Sequence, residues 1–352
     1  MILLFNSHIN RVKWAAFVKA HPQGNIFQTP EMYDVYACAE GVEPIAIAMV
    51  EDAERLEPSA LDAMHLAQGE IVGVLVAQYM TNGGALASWI TARSIITGGP
   101  LARNNDPAII QALMDAYKKQ LPCKTIYSEI RPIYDMNELM NERVNELKRW
   151  KRVGHYNLVM RLDKTEDELF EQMHKERRRN VNQAIKAGLT FKELTTADEI
   201  QQVVALIKKT YRRKHVPIGY LNMFDKVQGI LRDYAHFFGC YTAEGQMIAG
   251  QVRLCYETLV YAWFAGSNED YFKLRPNDFT MWNVIRWARE KGYKEFDFGG
   301  GGEPGKPYGV RDYKLKYGCE MFDYGRYILA HRPITYWAAA TAYNIYHKLK
   351  GK

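Results

Sequence analysis

Residues 271–318 read YFKLRPNDFTMWNVIRWAREKGYKEFDFGGGGEPGKPYGVRDYKLKYG, and this stretch decides what the rest of the chain must support. Pro276 opens a helix, because its fixed φ and missing N–H suit the first helical position. Phe279, Trp282, Ile285, Arg286, Ala288 and Arg289 follow at helical spacing. Gly292 stops the helix, with Arg289 and Lys291 in its last turn, where cations favour the negative end of the dipole. Residues 295–298 then alternate as a short buried strand that runs directly into Gly299, Gly300, Gly301 and Gly302. Pro304, Gly305, Pro307 and Gly309 keep the chain irregular until Tyr313 and Lys314. A long glycine loop is entropically costly, and at the end of a buried strand it usually serves a ligand. We place the candidate site here.

The chain has 352 residues, 47% of them hydrophobic and 12% aromatic. That is too long for one ordinary core and too apolar for disorder, so two packed domains are expected. The net charge of +6 suits an anionic ligand, nucleic acid or a membrane surface, but does not choose among them. Cys38, Cys123, Cys240, Cys255 and Cys319 are scattered with no CxxC pair, which reads as free thiols in a reducing compartment. The opening MILLFNSHINRVKW has no basic leader and does not read as a signal peptide. No segment has the length needed to cross a bilayer. The expected location is cytoplasmic, and peripheral contact with the inner membrane face stays open.

From the start, helices are expected at 11–20 and from about Pro30, then strands at 44–50 and 70–79 with a polar stretch between them. A strand at 88–96, a helix at 107–119, a strand at 125–130 and a mostly helical, charged segment at 137–150 follow. The order then begins again: a strand at 156–162, one long helix at 166–186 and another at 196–214. Antiparallel strands at 237–242, 247–255 and 259–265 lead into the helix, strand and loop quoted above. Both halves therefore run helix, strand meander, turn, helix, strand. That points to a mixed α/β fold built by internal duplication.

GGGEPG at 300–305 satisfies GxGxxG, but Pro304 and Pro307 leave no room for the helix that a dinucleotide fold must open there. The dinucleotide reading fails. Successive amides around Gly300 and Gly301 can still cradle an anion or let a ligand approach closely. HKERRR at 174–179 is the densest basic run, and Arg177 stands four residues from both Met173 and Val181, which turns it inward. Lys208, Lys209, Arg212, Arg213 and Lys214 form a second cluster; together the two suit phosphate, which arginine binds in bidentate fashion. The histidines show no metal-ligand spacing, so no metal is expected, and neither a GxSxG elbow nor a Walker loop occurs. The tail at 336–352 reads as a helix packing on the second domain, with an interfacial membrane helix as the alternative.

At residues 264–267, 282–287, 297–300 and 313–318 the sequence resembles the FemA/FemB/FemX family. The elements that carry the likeness are an AGS turn, a helix ending in IRWAREKG, a strand ending in DFGG and an aromatic–lysine pair in YKLKYG. FQTPEMYDVY near the start and GGPL at 98–101 resemble family landmarks in the first half. The resemblance implies aminoacyl-tRNA-dependent transferases that add amino acids to peptidoglycan precursors. It also implies two tandem GNAT-like (acyl-CoA N-acyltransferase-like) domains, each a mixed, mostly antiparallel sheet flanked by helices. Domains are then expected at 1–154 and 155–335, with a C-terminal helix at 336–352. By the same resemblance Lys314 is the catalytic lysine, Tyr313 its aromatic neighbour, and Arg213 an arginine that holds precursor phosphate. A phosphate-holding lysine of the first half has no counterpart among Tyr33, Asp34, Val35 and Tyr36.

A fixed cation beside the glycine loop suits acyl transfer, because negative charge grows on the carbonyl oxygen under amine attack. Arg177, Arg213, Tyr313, Gly300 and Gly301 are the expected substrate-binding residues. Asp297 is either a base or a brace for the next loop. No bound cofactor is expected; the donor is aminoacyl-tRNA and the acceptor a nucleotide- or lipid-linked peptidoglycan precursor. The alternatives are a GNAT-like transferase using acyl-CoA or acyl carrier protein on a sugar or amino acid amine, and a non-catalytic RNA- or glycan-binding module.

Overall fold

The computed structural model describes residues 1–51, 69–140, 144–214 and 222–350. The polar stretch expected between the first two strands lies almost wholly outside these residues, as do part of the charged 137–150 segment and the residues that follow Lys214. The described chain forms two units, Met1–Gly154 with Tyr324–Lys352, and His155–Asp323.

The first unit runs β1 (Ile2–Phe5), α1 (Arg11–Ala20), α2 (Pro30–Ala37), β2 (Val42–Glu51), β3 (Glu70–Met80), α3 (Ala85–Thr91), β4 (Arg93–Thr97), β5 (Leu101–Ala102), α4 (Pro107–Gln120), β6 (Tyr127–Arg131), α5 (Asn137–Met140) and β7 (Lys151–Val153). The second runs β8 (Tyr156–Arg161), α6 (Glu166–Gln172), α7 (Lys175–Lys186), β9 (Thr190–Leu194), α8 (Ala197–Arg213), α9 (Phe224–Ile230), β10 (Ala235–Tyr241), β11 (Met247–Tyr256), β12 (Leu259–Ser267), α10 (Pro276–Glu290), β13 (Glu295–Gly300), α11 (Gly309–Leu315) and β14 (Glu320–Asp323). The chain then returns to the first unit with β15 (Arg326–Ala330) and α12 (Pro333–Lys350).

The duplication is written in the topology. One sheet has the order β1-β2-β3-β4-β6-β15-β7, with β5 on β3, and the other β14-β8-β13-β12-β11-β10-β9. Among the described residues each holds one parallel pair, β4 with β6 and β12 with β13, and the other pairings are antiparallel. A parallel pair needs a long crossover, which α4 and α10 supply. Asp106 caps α4 by accepting from the Ala108 amide, with Pro107 at the first position. Ile47, Leu75, Ile110, Leu113 and Ile130 fill the first core. Leu158, Val181, Phe238, Val260, Ile285 and Phe296 fill the second.

Five expectations are corrected. The 166–186 helix is two helices: Met173 adopts extended backbone, and the His174 ring accepts from the Glu176 amide to start α7 afresh. The apolar run at 88–96 is split between α3 and β4. Gly309–Leu315 is helical rather than irregular. The second unit ends at Asp323, not 335, and the C-terminal helix packs on the first unit, where the Tyr336 ring meets Tyr127 edge-on at 5.2 Å.

One packing detail sets the second sheet. Gly250 and Gly266 face each other across β11 and β12, and α8 lies on that smooth track. A Cβ at Gly266 would stand 2.4 Å from the Ile207 amide nitrogen, and one at Gly250 would stand 2.6 Å from Val203 Cγ2.

Candidate active site

Lys314 lies on α11 and reaches back to the glycine loop, its Nζ donating to the Gly300 carbonyl oxygen at 2.8 Å. The side chain is only partly exposed. Burial lowers its pKa to about 8, against the opposing pull of the Asp297 charge. Among the described residues the ammonium makes this one hydrogen bond, which leaves two of its three N–H donors for a ligand. Cys319 Sγ donates to the Lys314 carbonyl at 3.3 Å and fixes the end of α11.

Asp297 lies within β13 and is 1% exposed. Its Oδ1 accepts from the Gly299 amide at 2.6 Å and its Oδ2 from Asn157 Nδ2 at 3.3 Å. Burial pushes its pKa up to about 6, and the two hydrogen bonds with the Lys314 charge hold it from going higher. Both carboxylate oxygens are engaged within the protein, so Asp297 braces the loop and sets a countercharge near Lys314. Gly299 at φ +74° and Gly302 at φ +76° take the left-handed backbone that the turn requires. The Gly301 amide donates to the Tyr156 carbonyl at 2.6 Å. The amides of Gly299 and Gly301 thus point into the protein, and the expected amide cradle loses both of them. Arg311 ties the loop shut from α11, donating to the carbonyls of Gly301, Glu303 and Lys306 at 3.2, 3.1 and 2.6 Å.

Arg177 is turned inward, as its spacing implies, and is 7% exposed. Its Nη1 contacts Asp278 Oδ1 at 2.5 Å, and its guanidinium stacks on the Tyr313 ring, 4.4 Å from the centroid. Tyr317 donates to the same Asp278 oxygen at 2.7 Å, Asn180 Nδ2 to the other at 2.7 Å, and the Tyr313 and Tyr317 hydroxyls meet at 2.8 Å. Burial pushes both phenols well above the ordinary tyrosine range, so they are neutral hydrogen-bonding groups. Arg177 is neutralised within this network and holds Tyr313, the neighbour of Lys314, in place. Lys316 Nζ pairs with Glu176 at 2.6 Å, and the Lys316 carbonyl accepts from the His174 amide at 2.8 Å. The start of α7 is thereby locked to the end of α11.

Arg213 does not join this group: it pairs with Glu269 at 2.5 Å and lies over the Phe272 ring at 5.3 Å. Asp278, Tyr317 and Asn157 were not singled out from sequence, and a lone acid or phenol in an amphipathic helix carries no signal there. Arg253 did carry one, being a charge inside the apolar run VRLCY. It is 1% exposed, donates to the Val252 and Phe264 carbonyls at 3.1 and 3.4 Å and to Gln251, and lies 5.6 Å from the Phe296 ring centroid. Burial lowers its pKa to about 10, and its charge also opposes that of Lys314.

A cation with free donors beside a braced glycine loop is equipped to stabilise an oxyanion. Among the described residues no group of three or more His, Cys, Asp and Glu is placed to hold a metal ion. The FemAB family model matches residues 9–242, two thirds of the sequence. The chain belongs to the FemAB family. A model of the acetyltransferase (GNAT) domain matches residues 170–315, which contain the Lys314 site. The chain is an acyltransferase of this family, built of tandem GNAT-like halves. No curated protein matches the sequence. Among solved structures it is similar to FemX, with a TM-score of 0.69 and 16% identity over 96% of this chain and 99% of that one. It also resembles a tandem GNAT protein from the clavulanic acid biosynthesis pathway, at TM-score 0.53 and 11% identity over 94% and 99%. L-PGS from Bacillus licheniformis follows at TM-score 0.51 and 14% identity over 75% and 83%. At such identities the likeness is one of fold.

Proposed function

We propose that this FemAB-family chain transfers an amino acid from aminoacyl-tRNA to an amine of a peptidoglycan precursor, with Lys314 as the catalytic cation. The observation that carries the reading is the Lys314 ammonium, held at the glycine loop by one hydrogen bond to Gly300, with its other two donors free among the described residues. As the acceptor amine attacks the ester carbonyl, charge collects on the carbonyl oxygen. A preorganised ammonium opposite that oxygen lowers the barrier, by about 2.7–4 kcal/mol if it matches one oxyanion-hole donor. Asp297 keeps the lysine protonated and the loop fixed, and Tyr313, clamped by Arg177, shapes the wall beside it. The tRNA donor and the wall-precursor acceptor are supported by family membership.

The experiment is to incubate purified protein with charged tRNA, acyl-CoA and candidate amine acceptors, then weigh the products. Transfer from tRNA that Lys314→Ala removes supports the reading. Transfer from acyl-CoA alone assigns the chain to GNAT-type N-acylation instead, and transfer untouched by Lys314→Ala removes the lysine from the mechanism.

A further inference from the structure

The first unit carries a surface patch on elements other than those that hold Lys314. Helices α3 and α12 touch, and Arg332 joins them. Its guanidinium stacks on the Trp89 ring at 5.2 Å and donates to the Trp89 carbonyl at 2.8 Å. Four large apolar side chains stand out from this junction: Trp89 at 50% exposed, Ile90 at 62%, Ile334 at 86% and Trp337 at 70%. Ile334 and Trp337 are three residues apart and share a helix face, while Tyr336 packs inward on Tyr127. Isolated exposed apolar residues are ordinary, but a cluster of this kind marks an interaction surface.

The rim is basic. Arg332 also donates to the Lys124 carbonyl at 3.4 Å, and Arg93 donates to the Thr91 carbonyl at the end of α3 at 3.2 Å. Glu129, the acid that acts on Tyr336, is 5% exposed and is held by Arg131 and Arg326, so it does not offset these cations. Indoles, branched aliphatics and arginine together form the side-chain set that settles at a lipid headgroup boundary. Four side chains expose less than the roughly 800 Å² that each partner of a stable protein complex contributes, whereas insertion into lipid has no such minimum.

We propose that this face docks on an anionic membrane surface, with Arg332 and Arg93 meeting lipid headgroups and Trp89, Ile90, Ile334 and Trp337 entering the acyl boundary. Among the described residues no helix is long and apolar enough to cross a membrane, so the contact is peripheral. The proposal does not depend on the role of Lys314.

The test is flotation of the full chain with vesicles of phosphatidylcholine alone or of phosphatidylcholine mixed with phosphatidylglycerol. The wild type floats with the anionic vesicles, with a blue shift of tryptophan emission, and is released by high salt. Trp89→Ser combined with Trp337→Ser weakens binding roughly tenfold or more, with circular dichroism showing the fold retained. If that pair misfolds, Ile334→Ser, at a fully solvated position, replaces it. Absence of binding to either vesicle overturns the proposal, as does binding that the substitutions leave unchanged. A homodimer in sedimentation velocity that Trp337→Ser dissociates gives the face to a second copy of the chain and also overturns it.

Discussion

The Lys314 ammonium and the Gly300 carbonyl are joined across the glycine loop by a 2.8 Å hydrogen bond, so the cation proposed for catalysis is anchored to that loop. The loop is anchored in turn by Asp297, which holds the Gly299 amide at 2.6 Å. Backbone and ammonium therefore keep one geometry before any substrate arrives, and that preorganisation gives an electrostatic catalyst its effect.

Removing the cation removes the effect. Lys314→Ala and Lys314→Met should each lower kcat by about 10²–10³ while changing acceptor KM far less. Initial rates by product mass measure this. The same substitutions should raise thermal stability at neutral pH. The folded pKa of Lys314 lies below its ordinary value, so the stabilising part of its titration is present above pH 10.5 and lost as pH falls through about 8. At pH 7 the charged lysine carries a cost of about 3 kcal/mol that methionine does not. A Lys314→Met variant both inactive and less stable at pH 7 would contradict this account.

The pH profile follows from the neighbours. Activity needs the ammonium, so the rate should fall as pH rises through about 8. Asp297→Asn removes the opposing charge and should move that limb to lower pH. Arg253→Met removes a repelling charge and should move it higher. Lys314→Arg keeps a cation at all accessible pH values and should abolish the limb, at a reduced rate. Profiles of kcat/KM in which both neighbour variants shift the same way would show that the limb belongs to another group.

Arg177 should matter to stability more than to binding. Its pair with Asp278 is buried on both sides, and removing one partner of such a pair costs roughly 3–5 kcal/mol. Arg177→Met should therefore lower the unfolding midpoint sharply and displace the Tyr313 ring. Adding Asp278→Asn should recover part of the loss, because the uncompensated carboxylate is then gone. Equal effects of the single and double variants in urea melts would argue against the pair.

Why the sequence disclosed some of this and not the rest is a matter of range. Pro276, Gly292 and the alternation ending at Phe298 are local signals, and they delivered α10 and β13 close to their observed bounds. Arg177 was legible because helical spacing from Met173 and Val181 fixes its direction. Lys314 carried no local signal, and only the family likeness pointed to it. Its bond to Gly300 spans the loop, and the Asp278 network joins α7, α10 and α11 across long separations. The break at Met173 was hidden because the Glu176 amide finds its partner in the His174 ring. The return of β15 to the first sheet is a pairing with β6, and no feature of residues 326–330 names that partner.

The glycine track beneath α8 yields the last expectation. Gly266→Ala would bring a methyl to 2.4 Å from backbone atoms of Leu206 and Ile207, so the helix as a whole must move. Gly250→Ala meets only the Val203 side chain, at 2.6 Å for its closest atom. Overpacking of this kind costs roughly 1–3 kcal/mol, and the backbone clash belongs at the upper end or beyond it. Hydrogen exchange should show protection lost across α8, β11 and β12 in Gly266→Ala, less in Gly250→Ala, and none lost in β2 and β3 of the other unit. Since α11 is reached from the same sheet through α10 and β13, the acyl-transfer rate of Gly266→Ala should fall with temperature well before that of Gly250→Ala. Identical exchange in the two variants would mean that α8 does not rest on these strands as closely as the geometry requires.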